Sequence, residues 1–143
     1  MTSSNKPTAF FWVIAIIALI WNAMGVMAYL VEAFMTDEMR ALLPEAEQAM
    51  YASKPAWATG AFAIAVFAGL LGSLALVMRK KWARPLFLIS FVGIVAHTAY
   101  ILFVSGIVEA NGWGVAAMPL MVLIIGIFLI MYSKKATLQG WLN

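Results

Sequence analysis

Cysteine is absent from the 143-residue chain, which removes disulfides, thiolate nucleophiles and cysteine-bound metals from consideration. Charge is scarce too, at 10% of residues against the ~25% of soluble domains. There is a single histidine, so neither a multi-histidine metal set nor a Ser/His/Asp triad with a histidine to spare can be assembled. A phosphate-cradling glycine loop and a carboxylate pair within an apolar segment are also missing. These absences predict no catalytic residue, no metal and no cofactor. An enzyme reading would survive only through a bound quinone or similar group, with no motif behind it.

What fills the chain instead is hydrocarbon: 65% of residues are hydrophobic and the mean hydropathy is +0.97, far above the ~45–50% apolar content of globular domains. A lipid bilayer is the natural solvent for such a composition. The net charge of +3 does not suggest a nucleic-acid partner, because the cations sit at the ends of apolar runs rather than across a face. The length suits one membrane domain of residues 1–143 with no second folded unit.

Apolar runs place four spans at about 9–33, 57–78, 85–104 and 113–132, the first free of charge from Ala9 to Val31, each near the ~20 residues needed to cross a bilayer. A cleaved signal peptide competes for the first, but its apolar core would be only ~7–15 residues long. Between spans one and two, Thr36 can cap a turn starting Asp37-Glu38, and Pro44 before Glu45 and Glu47 marks a second helix start. Leu42, Leu43, Ala46, Ala49 and Met50 fall at helical spacing and predict one apolar face on an amphipathic outer helix. Pro85 is expected at the first helical position of span three, and Pro119 is expected to kink span four. The fold class that follows is an all-α, antiparallel four-helix transmembrane bundle with an outer amphipathic helix between spans one and two. No internal repeat relates its two hairpins.

Orientation follows from the cations, which resist translocation. Lys6, Arg79, Lys80, Lys81, Arg84, Lys134 and Lys135 share one side of a four-span chain, leaving Arg40 and Lys54 opposite. Both termini are predicted cytoplasmic. The turn holding Arg79, Lys80, Lys81 and Arg84 reads as a topology determinant that also meets anionic lipid headgroups. All the acids, Glu32, Asp37, Glu38, Glu45, Glu47 and Glu109, fall toward the other side.

Polar groups within spans are costly and usually face the bundle interior. At ~1.5 Å per helical residue, Asn22 and His97 lie at similar depth and within reach of each other. Asn22, Tyr29 and Glu32 on span one and His97 and Tyr100 on span three form stripes that would line an outward-opening polar cleft. Those five are the candidate ligand-binding residues. Each has a plainer reading: His97 hydrogen-bonded to Asn22, Thr98 or a carbonyl; Glu32 solvated or paired with Lys54 or Arg40; the tyrosines as interfacial belt residues. His97 could alternatively handle a proton or ligate a group. On span two, Gly60, Ala65, Gly69 and Gly72 are candidate helix-packing residues, because small side chains let backbones approach in lipid.

The stretches WNAMGVMAYL (21–30), LPEAEQ (43–48), PAWATGAFAIAVF (55–67) and RKKWARPLF (79–87) resemble a group of small four-span bacterial inner-membrane proteins commonly labelled "sugar transporter". The likeness covers nearly the whole chain, and a looser one to DoxX-like proteins rests on architecture. The resemblance implies a multi-pass protein of the bacterial inner membrane that handles a small solute, with the lipid bilayer as its surroundings. Three functions stay open: a small-solute, sugar-like permease or binding protein acting as a homo-oligomer; a non-catalytic accessory subunit of a larger membrane complex; and a quinone-linked redox subunit using His97.

Overall fold

The computed structural model describes residues 6–143, which form helices and no strand. Four helices are long and apolar enough to cross a membrane: Ala9–Ala33, Ala56–Val77, Ala83–Val104 and Trp113–Leu138. We label the α-helices α1 (Ala9–Ala33), α2 (Asp37–Ala41), α3 (Glu45–Ala52), α4 (Ala56–Val77), α5 (Ala83–Ala99), α6 (Ile107–Asn111) and α7 (Ala117–Leu138). A π-helical turn, Tyr100–Val104, extends α5, and a 3₁₀ turn, Trp113–Ala116, leads into α7. The bundle has a basic end, carrying the turn after α4 and the C-terminal part of α7, and an acidic end, carrying α2, α3 and α6.

The centre of the bundle is the α4–α5 interface, and small residues create it. Ala61, Ala65, Gly69 and Gly72 are buried on one face of α4. Gly93 of α5 sits so close that a Cβ there would lie 2.7 Å from both the Ala61 carbonyl oxygen and the Ala65 nitrogen. The Phe87 ring covers Gly72, and the Ser90 hydroxyl donates to the Ala65 carbonyl. Gly60 departs from the expected packing set. It faces away from that interface, and a Cβ placed there would have nothing within 4 Å, because Gly60 lies one residue, ~100° of helix rotation, away from Ala61.

Both prolines also act differently from expectation. Pro119 is the third residue of α7, in the first turn where a missing N–H is tolerated. The irregularity is therefore a 3₁₀-to-α junction at the helix start rather than a kink within it. Pro85 is likewise the third residue of α5, not the first. The Thr36 hydroxyl caps α2 by accepting from the Met39 amide at 3.1 Å. The outer connection is two short helices, and its apolar residues do not share one face: Met50 is 7% exposed whereas Leu42 is 87% exposed. The turn at Gly106–Gly112 is mostly the short helix α6, which buries Ile107 and Val108.

At the basic end, α4 terminates with Arg79 in the left-handed region at φ 60°. The Arg79 amide bonds the Leu76 carbonyl at 3.0 Å and the Lys80 amide bonds the Ala75 carbonyl at 2.8 Å, the paired closure usually given to glycine. Arginine holds that position because its backbone and side chain are both engaged by the chain's end. The Arg79 carbonyl accepts from the Asn143 amide at 2.6 Å, the Lys81 amide donates to the Asn143 carbonyl at 2.9 Å, and Arg79 Nε donates to the Trp141 carbonyl at 2.8 Å. Leu142 is thereby tucked into a core with Phe11, Leu76, Phe87 and Tyr132.

Candidate ligand cavity and buried ion cluster

At the acidic end, Lys54 follows the last turn of α3 and precedes Pro55, the N-cap of α4. That junction directs its side chain inward, where it is only 4% exposed. Its ammonium donates to both Glu32 carboxylate oxygens, at 3.0 and 2.9 Å, and lies 3.0 Å from His97 Nε2. An ammonium has three N–H donors and no acceptor, so all three are used. His97 Nε2 therefore carries the lone pair, which leaves the ring proton on Nδ1. Rings of Phe62, Tyr100 and Tyr51 surround the cation at 5.1, 5.8 and 6.0 Å from their centroids, adding cation–π attraction to the ion pair. The His97 ring stacks on Phe62 at 4.6 Å. Burial, reinforced by the Glu32 carboxylate, pushes the Tyr51 hydroxyl above its ordinary range.

The tyrosines help close this end. Tyr100 is 1% exposed and its hydroxyl donates to the Met50 carbonyl at 3.1 Å, fastening α3 to the π-turn. Tyr29 packs edge-on against Phe62 and Phe67 at 5.6 and 5.5 Å. An outward-opening polar cleft is thus replaced by a plug. Glu32, Tyr29 and Tyr100 are spent on one another's neighbours: a partnered ion, an aromatic cluster and a lid contact.

Below the plug lies a cavity of about 430 Å³ between α1, α4, α5 and α7. Its walls include Met24, Val66, Ile94, Met118 and Val122, with Asn22, His97, Thr98 and the indole N–H of Trp21 as its polar groups. Asn22 and His97 line this space without bonding each other. The Asn22 amide nitrogen donates to the Ala18 carbonyl at 2.8 Å and to Ser73 Oγ at 2.9 Å; Ser73 in turn donates to the Gly69 carbonyl at 2.9 Å. Asn22 Oδ1 rests over Gly69, where any Cβ would collide with it.

With both amide hydrogens used, four polar groups around the cavity have no hydrogen-bond partner among the described residues. They are Asn22 Oδ1, His97 Nδ1–H, the Thr98 hydroxyl and the Trp21 indole N–H. An apolar chamber holding one acceptor, two N–H donors and one group that can do either is suited to a ligand with a small hydrogen-bonding head on an apolar body. Among the described residues no three His, Asp or Glu side chains gather as a metal site.

Of the sequence candidates, Asn22 and His97 meet at the cavity, while Tyr29, Glu32 and Tyr100 belong to its closure. The sequence offered Lys54 as one of two possible partners of Glu32 and not as a site residue; the structure makes that pair and adds His97 to it. Ser73 and Thr98 gave no signal, since small hydroxyls in apolar helices usually bond their own backbone. No protein-family model matches the chain, and no curated protein or solved structure matches it.

Proposed function

We propose that the protein is a small-solute binding protein or permease of the membrane, with its ligand in the cavity between α1, α4, α5 and α7. The observation that carries this reading is the unpaired set of Asn22 Oδ1, His97 Nδ1–H, Thr98 Oγ1 and the Trp21 indole N–H in an otherwise apolar space of about 430 Å³. Ligand sites typically span ~300–1,000 Å³ with a few placed polar groups on apolar walls. These groups are open to the cavity rather than sealed in the protein, and polar groups facing an apolar space favour a partner that brings its own hydrogen-bonding atoms. A sugar fits this lining poorly: it carries a hydroxyl on most carbons, and each one buried without a partner is costly. The solute class we favour is accordingly less polar than the sugar-like one that the resemblance implies.

An accessory subunit would grip its partner through the small-residue face of α4 and the connection between α1 and α4. Gly93, Phe87 and Ser90 of α5 occupy that face, which leaves this alternative the connection alone. Quinone binding remains a special case of the cavity reading. The positive-inside bias of the basic end supports cytoplasmic termini, and placement in a bacterial inner membrane rests on the resemblance alone.

The test is mass spectrometry of the protein purified in mild detergent, compared with Ala28→Trp and Val122→Trp, which fill the cavity from opposite walls. One small molecule retained by the native chain and lost from both variants, with all three eluting alike, is the expected result. A native chain that carries no molecule and takes up none offered to it would overturn the proposal.

A further inference from the structure

The cavity has two polar-facing ends, and both are shut. Toward the acidic end stand the Glu32–Lys54–His97 cluster, Tyr100 with its bond to Met50, and a second core of Met50, Leu102, Ile107 and Val108. Toward the basic end stand Phe11, Tyr132 and Trp141, with ring centroids 6.2 and 5.7 Å from Phe11, together with the docked C-terminal tail. What is not shut is the side. Around the cavity α1 and α7 contribute Met24 and Met118, 61% and 59% exposed. Between the same two helices runs a second space of about 220 Å³, lined by Ile14, Ile17, Ala18, Trp21, Ile125, Phe128 and Leu129. Trp21 belongs to both spaces, so the chamber continues as an apolar seam along the lipid-facing side of the bundle.

The geometry points to a ligand that enters sideways from the bilayer: a hydrocarbon-chain molecule with one uncharged oxygen head, chain along the α1–α7 seam and head at Asn22, His97 and Thr98. This rests on the cavity reading above and adds the route and the ligand class. The head is uncharged because the site offers no spare charge. The Lys54 ammonium is the nearest cation, and its three donors are committed to Glu32 and His97. A carboxylate or phosphate brought to mid-membrane depth would face only dipoles, at heavy desolvation cost. A hydroxyl or carbonyl, by contrast, is matched by the N–H donors of His97 and Trp21, one amide acceptor and one alcohol. A body of hydrocarbon suits the seam because its walls are aliphatic and aromatic throughout, and because a membrane-dissolved chain reaches it without crossing either sealed end.

The full chain in lipid nanodiscs can be probed with a photoactivatable hexadecanol, and labelled positions read by mass spectrometry. Labelling should fall on α1 and α7 beside the cavity, compete with unlabelled hexadecanol, and compete roughly tenfold less well with hexadecanoate, a difference worth ~1.4 kcal/mol. Since the chain has no cysteine, Met24→Cys with Met118→Cys can be bridged by a short bismaleimide across the seam. Bridging should slow labelling roughly tenfold or more relative to the same double variant left unbridged. Labelling at the cavity that bridging leaves unchanged would overturn the lateral route and leave the cavity reading standing. Equal competition by the carboxylate would overturn the uncharged head. No competed labelling, with short water-soluble alcohols labelling the cavity instead, would overturn the ligand class and keep the site; no labelling by either would overturn the cavity reading with it.

Discussion

The basic end of the bundle is closed by hydrocarbon and backbone, and the acidic end by an ion cluster. At the basic end, Phe11, Leu76, Tyr132 and Leu142 form a dry core, and the tail is laced to the α4 turn by reciprocal backbone hydrogen bonds through Arg79, Lys81 and Asn143. At the acidic end, the second core is smaller and the central tie is one cation shared by Glu32 and His97. Apolar closure of this kind opens only by unfolding. An ion-based closure depends on a few strong, directional contacts and fails when one partner changes, so the acidic end is where the molecule is built to be altered.

The largest effect on this contrast is expected at Lys54. Lys54→Met leaves the Glu32 carboxylate, 14% exposed, without its cation, and removing one partner of a buried pair costs ~3–5 kcal/mol. Unfolding by SDS titration should show that loss, and Lys54→Met combined with Glu32→Gln should recover most of it. If single and double variants are equally destabilised, the ion pair is not what closes that end. At the opposite end the matching test is Leu142→Ala. The side chain is 2% exposed, and large-to-small changes in a core cost ~2–5 kcal/mol. Leu138→Ala, at a position 76% exposed, should change stability by well under ~0.5 kcal/mol.

The contrast between the two ends also marks what could be read from the sequence. The spans were legible because a bilayer demands long uncharged runs, and the Thr36 cap and the small face of α4 because they are local or periodic patterns. The structure agrees with the all-helical four-span bundle. The Glu32–Lys54 pair was legible only as one plain reading of Glu32 among others, and its convergence with His97 was not legible, since a contact among residues 32, 54 and 97 has no period and no spacing rule. The sealed acidic end was missed for the same reason: Tyr29 and Tyr100 sit on polar-looking stripes, but their partners, Phe67 and the Met50 carbonyl, come from other elements. Gly60 was misassigned because composition alone does not say which of several small residues faces the neighbour.

A pair of glycine substitutions tests that last point. Gly93→Ala places a methyl against backbone atoms of Ala61 and Ala65, which cannot move aside as a side chain would. A loss of ~1–3 kcal/mol is expected from overpacking. Gly60→Ala meets open space and should gain up to ~0.5–1 kcal/mol from improved helix propensity. Opposite signs in SDS titration would fix α4–α5 as the structural spine; equal signs would refute that assignment.

A modest effect is expected to be the most selective. Tyr100→Phe deletes the hydroxyl that reaches the Met50 carbonyl while keeping the ring against Trp57, 5.9 Å away, and near Lys54. A single intramolecular hydrogen bond contributes ~1 kcal/mol net. Here the cost is softened, because the Ser53 hydroxyl also approaches the Met50 carbonyl, at 3.4 Å, so that oxygen is not left wholly bare. The loss should therefore be local. Amide hydrogen exchange should quicken across α3, residues 45–52, with α4 and α5 unchanged, since segments with few buried contacts open independently of the core. Faster exchange spreading through α4 would mean that the lid and the spine are one cooperative unit, and that the acidic end is no easier to open than the basic one.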